Sequence, residues 1–270
     1  MGEPDFKKGQ MRISYFFILL TLIGVAHGES TTFSGSFNTS INTDFLPASS
    51  IDKEISSSNS LALSAKIPKL FNVSSRLSFD QDLRGERKGE LNDTYISISR
   101  KLKEFNENLK VSGTSTFFIP ISKSSREVSF LNTGYKLTGT VQTGLSRFPN
   151  LSSTMSLSFT QNFHRSAVSA SGSSNKHFLL SASSEMTYTF LKNFDVSMSF
   201  AYTKGRTYKK VIIDTYSGGQ EISYNASKKL TVGLGHSIGG NIFKVNGKKY
   251  NFSIFDVNKS KVYLEVNLGF

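Results

Sequence analysis

The sequence predicts an all-β chain closed into a transmembrane antiparallel up-and-down barrel, of twelve strands with fourteen as the alternative. Three observations carry this. Apolar and polar residues alternate one by one in stretch after stretch along the chain, and successive side chains of a strand point to opposite faces, so each stretch has one apolar face and one polar face. The second face is built mostly of Ser, Thr, Gly and Asn, as in Thr154, Ser156, Ser158, Thr160 and Asn162, whereas a face turned to bulk water carries more charge. The connections between stretches alternate short and long, the pattern of a meander whose two ends differ.

Taken in order, Phe33, Gly35, Phe37, Thr39 and Ile41 mark the first strand, and Leu61, Leu63, Ala65 and Ile67 the second. Phe71 to Phe79 gives the third, and Thr94, Ile96 and Ile98 a weaker fourth. Leu109 to Ile119 and Tyr135 to Leu145 follow, then Met155, Leu157, Phe159 and Phe163 in the seventh. The eighth is the clearest, with Phe178, Leu180, Ala182, Met186, Tyr188 and Phe190 on one face. Phe194 to Tyr202, Tyr216 to Ala226, Leu230 to Ile238 and the last ten residues complete twelve, with a bulge-prone region expected over Val211 to Ser217.

Short turns are expected at Pro68-Lys69-Leu70, Phe148-Pro149-Asn150, Leu191-Lys192-Asn193 and Ser227-Lys228. Longer polar loops are expected over Asn42 to Asn59, Asp82 to Asp93, Pro120 to Thr133, Ala167 to Lys176 and Gly239 to Ser260. The last of these holds a hairpin signal, Asn246-Gly247 between Ile242-Phe243 and Tyr250 to Phe255, which would raise the count to fourteen. About 240 residues remain after a leader is removed, roughly twenty per strand and connection, and spanning strands need about 9 to 11, so twelve is favoured.

The final segment is the most regular. Val262, Leu264, Val266, Leu268 and Phe270 alternate with Lys261, Tyr263, Glu265, Asn267 and Gly269, and the chain stops on the aromatic. This resembles the carboxy-terminal assembly signal of Gram-negative outer-membrane β-barrel proteins, porins among them. The third residue from the end, often Tyr in that class, is here Leu268, which leaves the apolar face intact. The resemblance implies a bacterial outer-membrane location and recognition by the barrel-assembly machinery. Short turns are periplasmic in such barrels and long loops external, so both termini would be periplasmic. It names a class and no particular family.

The amino terminus agrees. Arg12, an apolar run from Ile13 to Val25 and the small residues of Ala26-His27-Gly28 read as a secretory signal peptide. Residues 1–28 would thus be an extension and cleaved leader, and 29–270 a single barrel domain. Removing 1–28 takes away one net positive charge and lowers the formal total from +12 to +11. The absence of cysteine excludes a disulfide scaffold, thiolate chemistry and cysteine metal sites. With 23 Phe, 10 Tyr and no Trp, any interfacial girdle must be made of Phe and Tyr.

On this register Ser64, Ser74, Ser78, Ser97, Ser112, Thr114, Thr138, Thr140, Ser181, Ser183, Ser197, Ser199, Ser223 and Thr231 line the interior. A sleeve of short hydroxyls leaves room for water, and twelve strands lie between barrels filled by their own side chains and open channels. The expectation is a passive pore for small hydrophilic solutes. Pores for acidic oligosaccharides and for nucleosides share this architecture, an analogy that transfers no substrate. Glu185, Glu221 and Glu265 fall inward near mid-height with Arg76 at a similar level. Charged groups at a constriction set selectivity, unless Arg76 and the glutamates merely brace one another. Lys66, Lys101, Lys110 and Lys136 are inward near the ends and would make the mouths basic. Lys204, Arg206, Lys209 and Lys210, with Lys244, Lys248, Lys249 and Lys259, form two external basic clusters suited to anionic lipopolysaccharide.

Two other classes compete. An outer-membrane lipase-like enzyme would draw on His164 and Ser166, whose i, i+2 spacing is that of a Ser and His on one strand. No Asn or Asp follows closely enough to orient the histidine, and the expected register turns both residues away from lipid. A recognition barrel would bind partners through its basic loops. Nucleic acid is not an expected partner, and no cofactor or metal is expected, because His164, His177 and His236 lie on separate strands without ligand spacing.

Overall fold

The computed structural model describes residues 31–270 apart from 48, 51, 69, 85–87, 107, 146–147 and 244–250. The predicted leader and residues Lys244, Lys248 and Lys249 lie outside these. The strands are β1 (Thr32–Asp44), β2 (Ile55–Ile67), β3 (Phe71–Asp82), β4 (Gly89–Leu91), β5 (Thr94–Asn106), β6 (Leu109–Ile119), β7 (Leu131–Leu145), β8 (Phe148–His164), β9 (Lys176–Phe190), β10 (Phe194–Thr207), β11 (Ile212–Asn225), β12 (Leu230–Asn241) and β13 (Lys261–Gly269). Each long strand pairs antiparallel with its neighbours, and β13 returns to β1. Twelve strands therefore form a closed wall, with β4 a short addition on the outer half of β3.

Closure is made by the ends of the chain. Ser36 to Asp44 run opposite Gly269 to Lys261, and beyond them Gly35 and Phe270 exchange two backbone hydrogen bonds of 2.9 Å. The Phe270 ring lies over Gly35 so closely that a Cβ there would come within 2.4 Å of it. Glycine is thus required for the terminal aromatic to cover the seam. A closed wall leaves no strand edge unpaired, the condition for backbone in hydrocarbon.

The alternation resolves into two faces. Phe37, Leu61, Leu77, Ile98, Leu137, Met155, Leu157, Leu180, Met198, Ile222, Leu234 and Leu264 are all large and exposed. They occupy matched positions of neighbouring strands, for example Leu137 opposite Phe159 and Leu234 opposite Leu264, and so form a continuous apolar exterior. The hydroxyl residues fall on the interior, where they bond across strands: Ser34 with Ser64 (2.7 Å), Ser97 with Thr116 (2.8 Å), Thr140 with Ser156 (3.0 Å) and Ser181 with Thr203 (2.8 Å).

Several expectations need correction. Phe148, Pro149 and Asn150, expected as a turn, belong to β8, which begins right after residues 146–147. The region Val211 to Ser217 carries no bulge, since Ile212 to Tyr224 pair with β10 in unbroken register. The irregularities fall instead near Lys101 to Asn106 in β5, at Leu131 to Thr133 and Gly144 to Leu145 in β7, and between Arg206 and Thr207 in β10. The weak fourth strand runs a full 13 residues; its lower half carries Arg100 to Glu104, which hid the alternation. The hairpin candidate after β12, with Asn246-Gly247, lies largely outside the described residues, and β12 pairs directly with β13, so the wall closes on twelve strands with no hairpin between them.

The loop ends are knitted together. Asp93 Oδ1 accepts the N–H groups of Ile121 and Ser122, its other oxygen accepts Ser125 Oγ, and Glu90 accepts Ser124 N–H. Asn175 donates to the carbonyls of Ser129 and Ser166. At the opposite end the turns are tight, and Leu191 and Lys192 take positive φ values of 50° and 61° to reverse the chain in three residues.

Candidate functional site: the interior wall

Glu221 of β11, Tyr263 of β13 and Glu265 of β13 lie inward together. The Tyr263 hydroxyl donates to Glu221 Oε2 at 2.8 Å, and Glu265 and Glu185 are both within electrostatic reach of the same phenol. Two glycines of β12 make room for the group. A Cβ on Gly235 would come within 2.2 Å of the Tyr263 ring, and one on Gly233 within 2.9 Å of the Glu221 carboxylate. One of the three glutamates named from sequence, Glu221, thus holds a tyrosine that the sequence reading left out, and the other two act on that tyrosine through their charge. Its signal was the i, i+2 register with Glu265, which placed both on one face.

Arg76 does not brace them. Its guanidinium donates to Ser60 Oγ on β2 at 2.9 Å, and among the described residues no ion pair joins it to Glu185, Glu221 or Glu265. By strand order β3 stands almost across the barrel from β11. Tyr95, the cross-strand partner of Arg76, packs edge-on against Phe118 at 6.5 Å, and Phe118 covers Gly134. The interior thus carries a cation beside an aromatic pair on β3 to β6, and Glu185 and Glu221 with the Tyr263 hydroxyl on the wall nearly opposite. The aromatic pair was missed because a lone inward Tyr or Phe does not interrupt a hydroxyl face in sequence.

Of the inward lysines expected at the mouths, Lys101 and Lys110 have an acidic partner. Lys101 lies 2.6 Å and Lys110 3.8 Å from Glu104 at the short-turn end of β5 and β6, an acidic partner supplied by the bulged segment. Near the same end of β9 to β12, Thr189 and Asn225 both donate to Asp195, at 2.6 and 2.8 Å, and Thr231 donates to Asn225. Lys136 is inward on β7, opposite Thr160. Lys204 and Arg206 project outward at the loop end of β10, opposite Asp214 and Ile212, and Lys209 and Lys210 follow in the turn to β11. His164 and Ser166 do not form a catalytic pair: His164 Nδ1 has no hydrogen-bond partner, and Ser166 Oγ accepts the N–H of Val168. Among the described residues no cluster of His, Asp and Glu could hold a metal.

Wall, interior and closure together define a porin-type transmembrane barrel. No protein-family model matches the sequence, and no curated protein matches it. Among solved structures it is similar to KdgM porin, with a TM-score of 0.53 and 13% identity over 87% of this chain and 99% of that one. A second structure of KdgM porin, in complex with disordered oligogalacturonate, matches equally. The COG4313 outer membrane channel from Pseudomonas putida F1 is similar at a TM-score of 0.60 and 10% identity, over 88% of this chain and 95% of that one. At such identities the likeness is one of fold, that of outer-membrane porins and channels.

Proposed function

We propose that this chain is a passive outer-membrane pore for small hydrophilic solutes, with both termini in the periplasm. The observation that carries this reading is the interior: a closed twelve-strand wall lined by hydroxyls, with Glu185, Glu221 and Glu265 inward, Tyr263 bonded to Glu221, and Arg76 on β3, almost across from Glu221. Acidic groups in a low-dielectric wall act strongly on passing charge. Oligogalacturonate, the ligand of one structural neighbour, is polyanionic, and three carboxylates against one guanidinium at this level oppose such a chain. We infer solutes that are neutral or carry charge of both signs, with the Tyr95 and Phe118 rings as an apolar surface for a ring face.

Outside the lumen, Lys204 and Arg206 are placed to meet lipopolysaccharide phosphate, each cation contributing about 1 kcal/mol near an anionic surface. The outward alternation of Val262, Leu264, Val266, Leu268 and Phe270 is offered to the barrel-assembly machinery before closure. Reconstitution into planar bilayers tests the pore, and a lack of stepwise conductance would overturn it. A combined Glu185→Gln, Glu221→Gln and Glu265→Gln variant should shift the reversal potential in a salt gradient toward anion selectivity. Unchanged selectivity would remove these residues from the constriction.

A further inference from the structure

The apolar exterior is interrupted between β5 and β9 by a groove of about 480 Å³. Its floor is Gly113 and Ser115 of β6 and Gly139 of β7, and its walls are Ile98, Leu102, Leu137, Leu157, Phe159 and Leu180. Gly113 stands opposite Gly139, and Ser115 opposite Leu137, so the missing side chains lie side by side on adjacent strands. The floor is bare: a Cβ on Gly139 would meet nothing within 4 Å. Neighbouring strands are about 4.8 Å apart, and a trough one or two strands wide has the section of a hydrocarbon chain, not of a protein surface.

One end of the groove is charged. Arg100 of β5 is the cross-strand partner of Gly113 and is exposed on the outward face. Among the described residues it is the only Asp, Glu, Lys or Arg on that face away from the strand ends. Lys103 follows it toward the short turn, beyond the bulge that also turns Leu102 outward, with its ammonium 4.4 Å from the centre of the Phe105 ring. An outward Arg at the bilayer midplane costs roughly 2–4 kcal/mol in such barrels, less toward the interface. Snorkelling toward the short-turn end lowers that cost, and an anion there removes more of it.

We propose that this groove holds one glycerophospholipid of the leaflet at the short-turn end, with a phosphate on Arg100 and Lys103 and an acyl chain along Gly113, Ser115 and Gly139. A second copy of the chain is the weaker occupant on charge grounds. Among the described residues the one outward acid of the long strands, Asp214, stands at the loop end opposite Lys204 and not near the short-turn side where Arg100 points, so a copy would leave the guanidinium uncompensated in hydrocarbon. A lipid phosphate compensates it, and charge-assisted, bidentate contact of this kind is what Arg supports best.

Native mass spectrometry of the full barrel titrated with phosphatidylglycerol tests the site, alongside Arg100→Leu and Gly139→Leu. The wild type should retain one tightly held lipid. Arg100→Leu should weaken retention by roughly tenfold or more through loss of the charged contact, and Gly139→Leu should weaken it with the cation intact. Heat-modifiable migration on gels establishes that each variant is folded, and their single-channel conductance should equal that of the wild type, since neither residue faces the lumen. Equal lipid retention in all three proteins overturns the proposal. So does an oligomer that Arg100→Leu disperses without changing lipid retention, because the occupant is then a second copy. Loss of the pore reading would leave these outcomes untouched.

Discussion

Two regions of the exterior lack the bulky side chains found elsewhere, and the molecule treats them differently. Between β5 and β9, Gly113, Ser115 and Gly139 leave an open groove. On β11 and β12, Gly218, Gln220, His236 and Gly240 are outward beside Tyr216 and Ile238, and there the chain covers itself. Residues 251–256 fold back over the wall: Phe252 packs against Tyr216 at 4.9 Å and Phe200 at 6.1 Å, and Phe255 against Phe45 at 5.0 Å. Tyr216 is consequently only 4% exposed and Ile238 7%. The Tyr216 hydroxyl donates to Asn251 O and accepts Ser253 N–H, which satisfies backbone groups of the covering segment. A loop expected to be external and polar thus doubles as part of the outer wall. Small outward residues mark either a seat for the chain itself or a seat left for something else, and only the fold distinguishes the two.

Substitutions on the two sides should separate them. The largest effect is expected from Tyr216→Ala, which removes a buried ring and both anchoring hydrogen bonds. Loss of roughly 3 kcal/mol, typical of a buried aromatic truncated to alanine, should appear in chemical unfolding from lipid vesicles, together with new protease cleavage in 251–260. An intact, protected loop would show that the cover does not depend on its anchor. The paired change Phe252→Ser and Phe255→Ser acts on rings already half exposed, at 55% and 54%, and should cost about 1–2 kcal/mol with the strands undisturbed. Hydrogen exchange checks this, since protection lost in β10 to β12 as well would make the loop part of the wall's own stability. In the open groove, Gly139→Leu places its Cβ where nothing lies within 4 Å and should change stability by no more than about 0.5 kcal/mol. A larger loss would mean that the groove is already closed over.

Much of this was legible in the sequence. The terminal pattern ending on Phe270, the period-2 alternation and the hydroxyl interior all follow from local rules, because side-chain direction in a strand depends on position parity alone. For that reason Glu185, Glu221, Glu265 and Arg76 could be placed inward without a fold. The weak β5 was harder, since a bulge shifts parity within Lys101 to Asn106 and breaks the very signal being read.

Parity settles which face a residue takes, and it is silent about which residues stand beside each other across strands. That depends on register and shear, which only closure of the sheet sets. Hence the tertiary structure alone brought Tyr263 onto Glu221, kept Arg76 apart from the glutamates, supplied Glu104 to Lys101 and Lys110, and aligned Gly113 with Gly139 beside Arg100. It alone also laid Phe252 and Phe255 on the wall, because a loop's resting place follows from the surface that the finished barrel presents.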